Sequence, residues 1–342
     1  MKGRPVLREG ILSEREEGFI PGRKAWMVSI ITAIHNCLEH NQVFLDSLER
    51  YSYHPHELII IDNASSDGSP ELFKRSGCRI IRNEKNLCYP EAMNQGIAEA
   101  NGEFICLLNN DIFVGVQWDK NLIDAMEMYQ LDVVSPCGIE RMPSLPLTHL
   151  FFKRWRSIGE KKHQMATAEM LRSLLRHMYG PWEAFCQRVK SRYYPKIMEG
   201  IVGNCVLLKR SALEKIGPLD ETIQAQDWDL YLTVRKKEEE GEGIHRVMTV
   251  CWSYVHHFIR TTLKSHPAPF SCVHRKRTIE EKWDRETIQR LWPFPHEVRP
   301  RPSPLREPIS YWHYKREKMK SLLARTDDEN QWVQFWKELD RT

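Results

Sequence analysis

Polar side chains that could bind a ligand follow two apolar segments of the chain. LIIID ends on Asp62, and FICLL is followed by Asn109, Asn110 and Asp111. Both segments have the length and apolar content of buried strands. Ligands bind beyond the carboxyl ends of strands in open α/β sheets. These carboxylates and amides are therefore candidates for a binding site, although Asp and Asn are also ordinary turn residues.

Two later segments add groups that could do chemistry. Gln226-Asp227-Trp228-Asp229 opens a predicted helix, and residues 247–258 form a predicted strand that ends in two histidines. A carboxylate can accept a proton, and a carboxylate with an imidazole can bind a divalent cation. The simpler interpretations are that acidic residues favour the positive end of the helix and that the histidines are structural.

Strands and helices that would position these groups alternate along the chain. The helix over 90–100 opens with Pro90, and its amino end offers unpaired amides to an anion. The alternation predicts an α/β fold. Predicted strands cover 27–36, 58–62, 78–83, 104–108, 132–136 and 247–258, and predicted helices cover 39–51, 70–76, 90–100 and 119–129.

These segments, with NLCYPEAMNQG between the first two polar clusters, resemble the nucleotide-sugar half of family 2 glycosyltransferases. The resemblance covers residues 27–140 and 197–258. It implies a GT-A fold, which is a Rossmann-like sheet with helices on both faces. We expect an amino-terminal arm (1–25), a catalytic domain (26–264) with a helical insertion (141–198), and a carboxyl-terminal helical extension (265–342).

The resemblance also implies roles for single residues. Asp62 would contact the nucleotide base, Asp111 would close a DxD-type triplet that holds a metal against the diphosphate, and Asp227 would be the general base. Asn204 and Trp228 would lie on the acceptor side. The residues that would bind the nucleotide sugar are Ala33, His35, Asn36, Asp62, Asn63, Asn86, Asn109 and Asn110. The chain departs from the family pattern at Ala33, His35, Gln226 and Asn109-Asn110.

The implied metal site combines Asp111 with His256, and His257 stays open because register at a strand end is uncertain by one residue. Carboxylate and imidazole ligands suit Mn²⁺ or Mg²⁺. Family members with an Asn-Asn-Asp triplet often use deoxyhexose or furanose donors. A fully acidic triplet would hold the cation more strongly than this one.

The function that this resemblance implies is transfer of a sugar, with inversion, from a UDP-, dTDP- or GDP-linked donor. The acceptor would be a hydroxyl of a glycan, lipid-linked or protein-linked molecule in cell-surface polysaccharide, glycan or glycoprotein assembly. One alternative is a nucleotide-sugar-binding protein without catalysis, against which Asp227 argues. Another is a basic nucleic-acid-binding module, but the chain lacks an RNA-binding aromatic motif and a helix-turn-helix signature. We expect no nucleic-acid partner.

Composition is that of a soluble globular protein, with 342 residues, 28% charged residues and a formal net charge of +4. The nine cysteines include no CxxC pair, which favours buried thiols in a reducing compartment over a disulfide framework. No apolar run approaches the roughly 20 residues that span a bilayer, and the amino terminus lacks a signal-peptide core. We expect a cytoplasmic protein, with contact to the inner face of the membrane left open.

The insertion is strongly basic, with 11 Lys or Arg against three Glu between Lys153 and Lys196. Its apolar stripe of Leu171, Leu174, Leu175 and Met178 either packs on the domain or forms an amphipathic surface for an anionic partner or membrane. The extension carries a helix over 278–292, six prolines between residues 293 and 308, and helices from residues 310 and 326. These last helices would pack on the catalytic domain or form a homo-oligomer.

Overall fold

The computed structural model describes residues 26–159, 166–223, 225–245, 247–259, 270–292, 332 and 334–337. Within these residues one sheet holds nine strands in the order β3-β2-β1-β4-β8-β6-β9-β5, with β7 also paired to β9. The strands are β1 (Val28–Ile34), β2 (His56–Asn63), β3 (Arg79–Asn83), β4 (Phe104–Leu108), β5 (Ile112–Val114), β6 (Val133–Cys137), β7 (Ile197–Glu199), β8 (Cys205–Lys209) and β9 (Met248–His257).

The pairing of the strands brings distant polar residues to one edge of the sheet. β3, β2, β1 and β4 are parallel, so their carboxyl ends meet at that edge. β8 runs antiparallel to β4, and Cys205 at its start pairs with Leu108 at the end of β4. Asn204 therefore lies beside Asn109, whose amide donates to the Asn204 carbonyl at 3.0 Å.

Helices cover both faces of the sheet, as the alternation of strands and helices predicts. Ile60 packs with α1, α2, α4 and the insertion, whereas Ile59 and Ile61 pack with α3, α8 and α9 on the other face. The helices are α1 (Leu38–Tyr51), α2 (Ser69–Arg75), α3 (Tyr89–Glu99), α4 (Trp118–Tyr129), α5 (Leu145–Ile158), α6 (Ala168–Tyr179), α7 (Trp182–Tyr193), α8 (Arg210–Ile216), α9 (Gln226–Glu239), α10 (Ile279–Lys282) and α11 (Arg285–Leu291).

The insertion forms α5, α6 and α7, and its apolar stripe packs against the rest of the chain. Leu171, Leu175 and Met178 are buried and Leu174 packs beside them. The first of the two interpretations of the stripe is therefore the one that the structure bears out. The stripe is covered by protein and is not available to a membrane.

The carboxyl-terminal extension divides into two parts. The helix predicted over 278–292 is two short helices, α10 and α11, because Trp283 leaves the helical conformation between them. Further along, Trp332 and Phe335 are buried, each with its ring centroid 5.1 Å from that of Phe151 in the insertion. The apolar side of the last predicted helix thus packs within the chain. The arm over 1–25 and the helix from residue 310 lie outside the described residues.

Two cysteines depart from the prediction of unpaired buried thiols. Cys88 and Cys272 form a disulfide, with Cα atoms 5.2 Å apart. Cys106 and Cys205 are unpaired and fully buried, as expected. The described part of the chain contains no helix that is both long and apolar enough to cross a bilayer.

Candidate active site

Asp111 and His257 form the centre of the polar edge. Asp111 follows β4 and is 5% exposed, and Nε2 of His257 lies 3.2 Å from its Oδ1. The pairing of β5 with β9 sets Ile112 opposite His257, which brings His257 beside Asp111. The neighbouring carboxylates of Asp111 and Glu140 outweigh the effect of burial and raise the pKa of His257 to about 10.

His256 occupies a different environment, so the choice of His256 over His257 as the partner of Asp111 needs correction. Side chains alternate faces along a strand, and that of His256 points into an aromatic cluster. Its Nδ1 lies 2.7 Å from the Tyr179 hydroxyl, and its ring centroid is 4.5 Å from that of Trp155. The residue facing Asp111 is His257.

Glu140 and Asn204 extend the site from His257. Oε2 of Glu140 lies 2.8 Å from Nδ1 of His257 and accepts a hydrogen bond from Nδ2 of Asn204 at 2.7 Å. Oδ1 of Asn204 is buried and accepts no hydrogen bond from the described part of the chain. Such an atom is expected to find a partner, and a bound substrate hydroxyl or water could supply it.

Asp227 stands on the other side of the loop that carries Asn204. It is half-buried in the first turn of α9, where its Oδ1 accepts a hydrogen bond from the Trp228 amide at 3.0 Å. A Cβ atom added at Gly203 would come within 2.5 Å of the Asp227 Cβ. Burial raises the pKa of Asp227, and the negative charge of Glu140 adds to the effect. The protein thus holds a carboxylate that binds a proton more readily than an ordinary aspartate.

Asp229 and Trp228, in the same helical turn, contact residues of the carboxyl-terminal extension. Asp229 is 5% exposed and accepts hydrogen bonds from Nε1 of Trp283 at 2.7 Å and Nζ of Lys282 at 2.8 Å. Trp228 packs its ring edge against Trp292, with centroids 5.3 Å apart. Both residues attach the helices after residue 278 to α9.

Asp62 marks the opposite end of the edge, at the carboxyl end of β2. It is fully buried, and its Oδ1 accepts a hydrogen bond from the Ser65 amide at 2.9 Å. Its Oδ2 accepts no hydrogen bond from the described residues, and Nε of the half-exposed Arg82 lies 3.5 Å away. A buried carboxylate oxygen with spare capacity suits a ligand that donates an N–H group.

The amides predicted to bind the nucleotide sugar are partly used within the protein. Oδ1 of Asn36 accepts from the Ser66 amide, and Nδ2 of Asn110 donates to Asn41 at 2.7 Å. Asn63 donates to the Leu87 carbonyl and His35 Nδ1 lies 2.7 Å from the Asn63 carbonyl. These side chains fix the loops of the edge in place. Asn109 and Ala33 are half-buried at the same edge.

Asn86 and Tyr89 lie where the chain enters α3. The Asn86 carbonyl accepts from the Ser271 amide at 2.7 Å, which joins this loop to the segment after residue 270. Burial raises the pKa of Tyr89, and the negative charge of the nearby Asp227 adds to the effect. The start of α3 therefore lies close to the part of the chain that carries Asp227.

The donors beside Asp111 fit a cation of the Mn²⁺ or Mg²⁺ type that is completed by substrate. A carboxylate oxygen and an imidazole nitrogen are appropriate ligands. Among the described residues, no three His, Cys, Asp or Glu side chains are grouped to hold a metal. Two side chains would leave most coordination positions of such a cation to substrate oxygens and water.

Three residues of the site were missed by sequence reasoning: Glu140, Gly203 and Tyr89. Glu140 follows β6 within three residues, so the signal of a carboxylate after an apolar strand that identified Asp62 and Asp111 could have found it. Gly203 carries no side chain, and its close approach to Asp227 is visible only in three dimensions.

Relatives of the chain are glycosyltransferases. An N-acetylglucosaminyl-diphospho-decaprenol L-rhamnosyltransferase of Mycobacterium tuberculosis is 24% identical over 283 residues, covering 76% of this chain and 85% of the relative. The uncharacterized glycosyltransferase EpsJ of Bacillus subtilis is 29% identical over 122 residues, covering 34% of this chain and 35% of the relative.

Solved structures that resemble this one include two glycosyltransferases. A mannosyltransferase of Pyrobaculum calidifontis in complex with GDP-Man and Mn²⁺ has a TM-score of 0.44 and 16% identity, covering 68% of this chain. The present chain spans 56% of that chain. GalNAc-T7 with UDP, GalNAc and Mn²⁺ has a TM-score of 0.46 and 13% identity, covering 68% of this chain and 43% of its own.

A family model described as glycosyl transferase family 2 matches residues 29–217, which is more than half of the chain. This match confirms the resemblance that the strand-end motifs indicate. The α/β sheet with helices on both faces agrees with the GT-A fold that the resemblance implies. The chain is a glycosyltransferase that belongs to family 2.

Proposed function

We propose that the chain transfers a sugar from a nucleotide-diphosphate donor to an acceptor hydroxyl by a single displacement with inversion. The observation that carries the proposal is the continuous polar edge from Asp111 through His257, Glu140 and Asn204 to the loop against which Asp227 packs. A base at one end and a cation-binding pair at the other suit attack from the face opposite the leaving group.

The donor would lie along the carboxyl ends of β1, β2 and β4. Asp62 would bind the nucleotide base, and the amino end of α3 would face the diphosphate. Asp111 and His257 would hold a divalent cation, which neutralises the growing charge of the leaving diphosphate. Oxygen and imidazole donors favour Mn²⁺, and Mg²⁺ remains the alternative.

Asp227 is the group best suited to take the proton of the acceptor hydroxyl. Its raised pKa, a result of burial, makes it a stronger base than Glu140. Glu140 is less suited, because contact with His257 and Asn204 outweighs burial and lowers its pKa. Asn204 would lie against the acceptor, since its Oδ1 has no partner in the described residues.

The proposed donor is a nucleotide-linked deoxyhexose, and the proposed acceptor is a glycan on a polyprenyl diphosphate lipid. The Asn109-Asn110-Asp111 triplet supports the donor class, and the name of the mycobacterial L-rhamnosyltransferase supports both. The basic insertion would then face the anionic headgroups around such an acceptor.

A thermal-shift experiment tests the donor site and its cation. A nucleotide diphosphate should raise the melting temperature more with Mn²⁺ than with a chelator, because binding to the folded state adds about 2.7 kcal/mol at a hundredfold excess over Kd. Equal stabilisation in chelator would exclude the cation and leave the donor site standing.

A transfer assay tests the substrate class. Polyprenyl-diphosphate N-acetylglucosamine should be extended with dTDP-L-rhamnose and extended poorly with UDP-glucose or GDP-mannose. Preference for either of the latter donors would contradict the deoxyhexose proposal. Binding of all three donors without transfer or hydrolysis would instead indicate a nucleotide-sugar-binding protein.

A further inference from the structure

Glu140 is held rigidly at the edge of the cleft. It lies in a tight turn closed by two backbone hydrogen bonds, from the Gly138 amide to the Arg141 carbonyl at 3.1 Å and from the Arg141 amide to the Gly138 carbonyl at 3.0 Å. Ile139 of the same turn is fully buried, whereas the Glu140 side chain is 35% exposed. The turn therefore fixes the backbone position from which the Glu140 side chain extends.

The Glu140 carboxylate contacts the Nδ1 nitrogen of His257 and the side-chain amide of Asn204. Its Oε2 lies 2.8 Å from Nδ1 of His257, while Nε2 on the opposite side of the ring lies 3.2 Å from Asp111. Oε2 also accepts the hydrogen bond from Nδ2 of Asn204. The hydrogen bond from Asn204 thus orients the carboxylate, and Oε2 can also accept a hydrogen bond from Nδ1 of His257.

We propose that Glu140 is a positioning residue that fixes the ring orientation of His257 and holds a proton on Nδ1, so that Nε2 faces Asp111 and is the nitrogen that exchanges its proton for the cation. This inference rests on the proposed cation site. The hydrogen bond made by one ring nitrogen decides which nitrogen can bind a metal, and such supporting carboxylates typically contribute a factor of roughly 10 to 100 in metal affinity.

Asn204 explains why the carboxylate is needed. Its Nδ2 lies 3.2 Å from Nδ1 of His257 and is itself a donor. Without Glu140, this amide would be free to donate to an unprotonated Nδ1. That arrangement would place the proton on Nε2 and remove the electron pair that binds a cation. Glu140 prevents this by accepting from both groups.

The test measures Mn²⁺ binding to the full chain in the presence of saturating nucleotide diphosphate, using the electron paramagnetic resonance signal of free Mn²⁺. Glu140→Ala should weaken Mn²⁺ binding about 10- to 100-fold. Glu140→Gln should stay within a few-fold of wild type, because its amide oxygen can still accept from Nδ1. Affinity for the nucleotide diphosphate in chelator should be the same in all three proteins.

Each contrary result has a distinct meaning. Wild-type protein that binds no Mn²⁺ overturns the cation site and this inference together. Wild-type binding that Glu140→Ala leaves unchanged overturns the inference alone. A Glu140→Gln protein as weak as Glu140→Ala, or a loss of nucleotide affinity in chelator, also overturns it, because charge or overall structure would then explain the effect.

Discussion

Two carboxylates of the cleft have environments that move their pKa values in opposite directions. Burial raises the pKa of Asp227, whereas His257 and Asn204 outweigh burial and lower the pKa of Glu140. Such divergence separates a proton acceptor from a group that stays ionised. At the scale of residues, it supports the proposals that Asp227 accepts the proton and that Glu140 orients His257.

Replacement of Asp227 by Asn tests the assignment of the base. The amide keeps the shape of the side chain but cannot accept the proton, so transfer should fall by about a hundredfold to ten-thousandfold. Affinity for the nucleotide diphosphate should change little, because the proposed base would contact the acceptor and not the nucleotide. Transfer rates and nucleotide affinity would be measured on the same preparations.

Asp229→Asn is the matched control, since it removes a charge from the same helical turn. Asp229 holds Lys282 and Trp283, so this change should lower the free energy of unfolding by about 1–3 kcal/mol. Transfer per folded molecule should fall much less than in Asp227→Asn. Similar losses of transfer in the two variants would place the base elsewhere.

The raised pKa of Asp227 predicts the acid side of the pH–rate profile. The base works only when ionised, so kcat/KM should fall as the pH drops through its pKa. Since burial raises that pKa, the fall should begin at a higher pH than for an ordinary aspartate, whose pKa is about 3.9. A profile that stays flat down to that value would contradict the assignment.

At the scale of elements, the positions of the strands in the sequence were easier to predict than the faces on which their side chains lie. The apolar run of β4 gave its bounds, 104–108, without error, because a fully buried strand has a distinct composition. Which histidine of β9 faces Asp111 depended on a register shift of one residue, which moves a side chain to the other face. Glu140 follows the apolar run of β6 by three residues, so its presence near the edge was predictable, but its contact with His257 was not.

The sequence pattern predicted which face of the insertion is buried, but not what that face packs against. The spacing of its apolar residues predicted one covered helical face, and Leu171, Leu175 and Met178 are buried on it. The partner of that face was not predictable, because Phe151 and the distant Trp332 and Phe335 complete the packing. Basic side chains such as Arg176 and Arg192 stay exposed.

These exposed charges predict salt-sensitive binding to anionic vesicles. Each Lys or Arg near such a surface contributes about 1 kcal/mol, so Arg176→Ser with Arg192→Ser should weaken binding by up to roughly thirtyfold. Lys74→Ser with Arg75→Ser, on α2, is the control and should bind like wild type. Co-sedimentation that is equally poor with neutral and anionic vesicles would argue against membrane contact.

At the scale of the whole molecule, residues 270–277 form a strap that joins separate parts of the cleft. The Cys88–Cys272 disulfide attaches it to the start of α3. Glu91 adds to this attachment, since its Oε1 accepts from the Val273 amide at 3.0 Å and from Nζ of Lys276 at 3.1 Å.

The other end of the strap holds the loop that leads to Asp227. The Arg277 amide donates to the Thr222 carbonyl at 2.6 Å, and Nζ of Lys276 donates to the Glu221 carbonyl. The strap thereby connects the start of α3, on the proposed donor side of the cleft, to the loop before the proposed base. Loss of one attachment should therefore lower the free energy of unfolding of the whole chain.

Cys272→Ser tests the covalent attachment. The bond joins residues 184 apart in sequence, and in the chain-entropy model a cross-link that closes so long a loop lies at the upper end of the range of roughly 0–5 kcal/mol. Non-reduced wild type should therefore unfold at a higher denaturant concentration than Cys272→Ser. Reductant should lower the wild-type midpoint to that of the variant and leave the variant unchanged.

Cys78→Ser, at an unpaired and half-buried thiol, should respond to reductant as wild type does. Thiol counting on the unfolded, non-reduced protein provides the decisive comparison: nine reactive thiols instead of seven would show that the bond does not form, and a reductant-sensitive midpoint in Cys272→Ser would assign the effect to another pair.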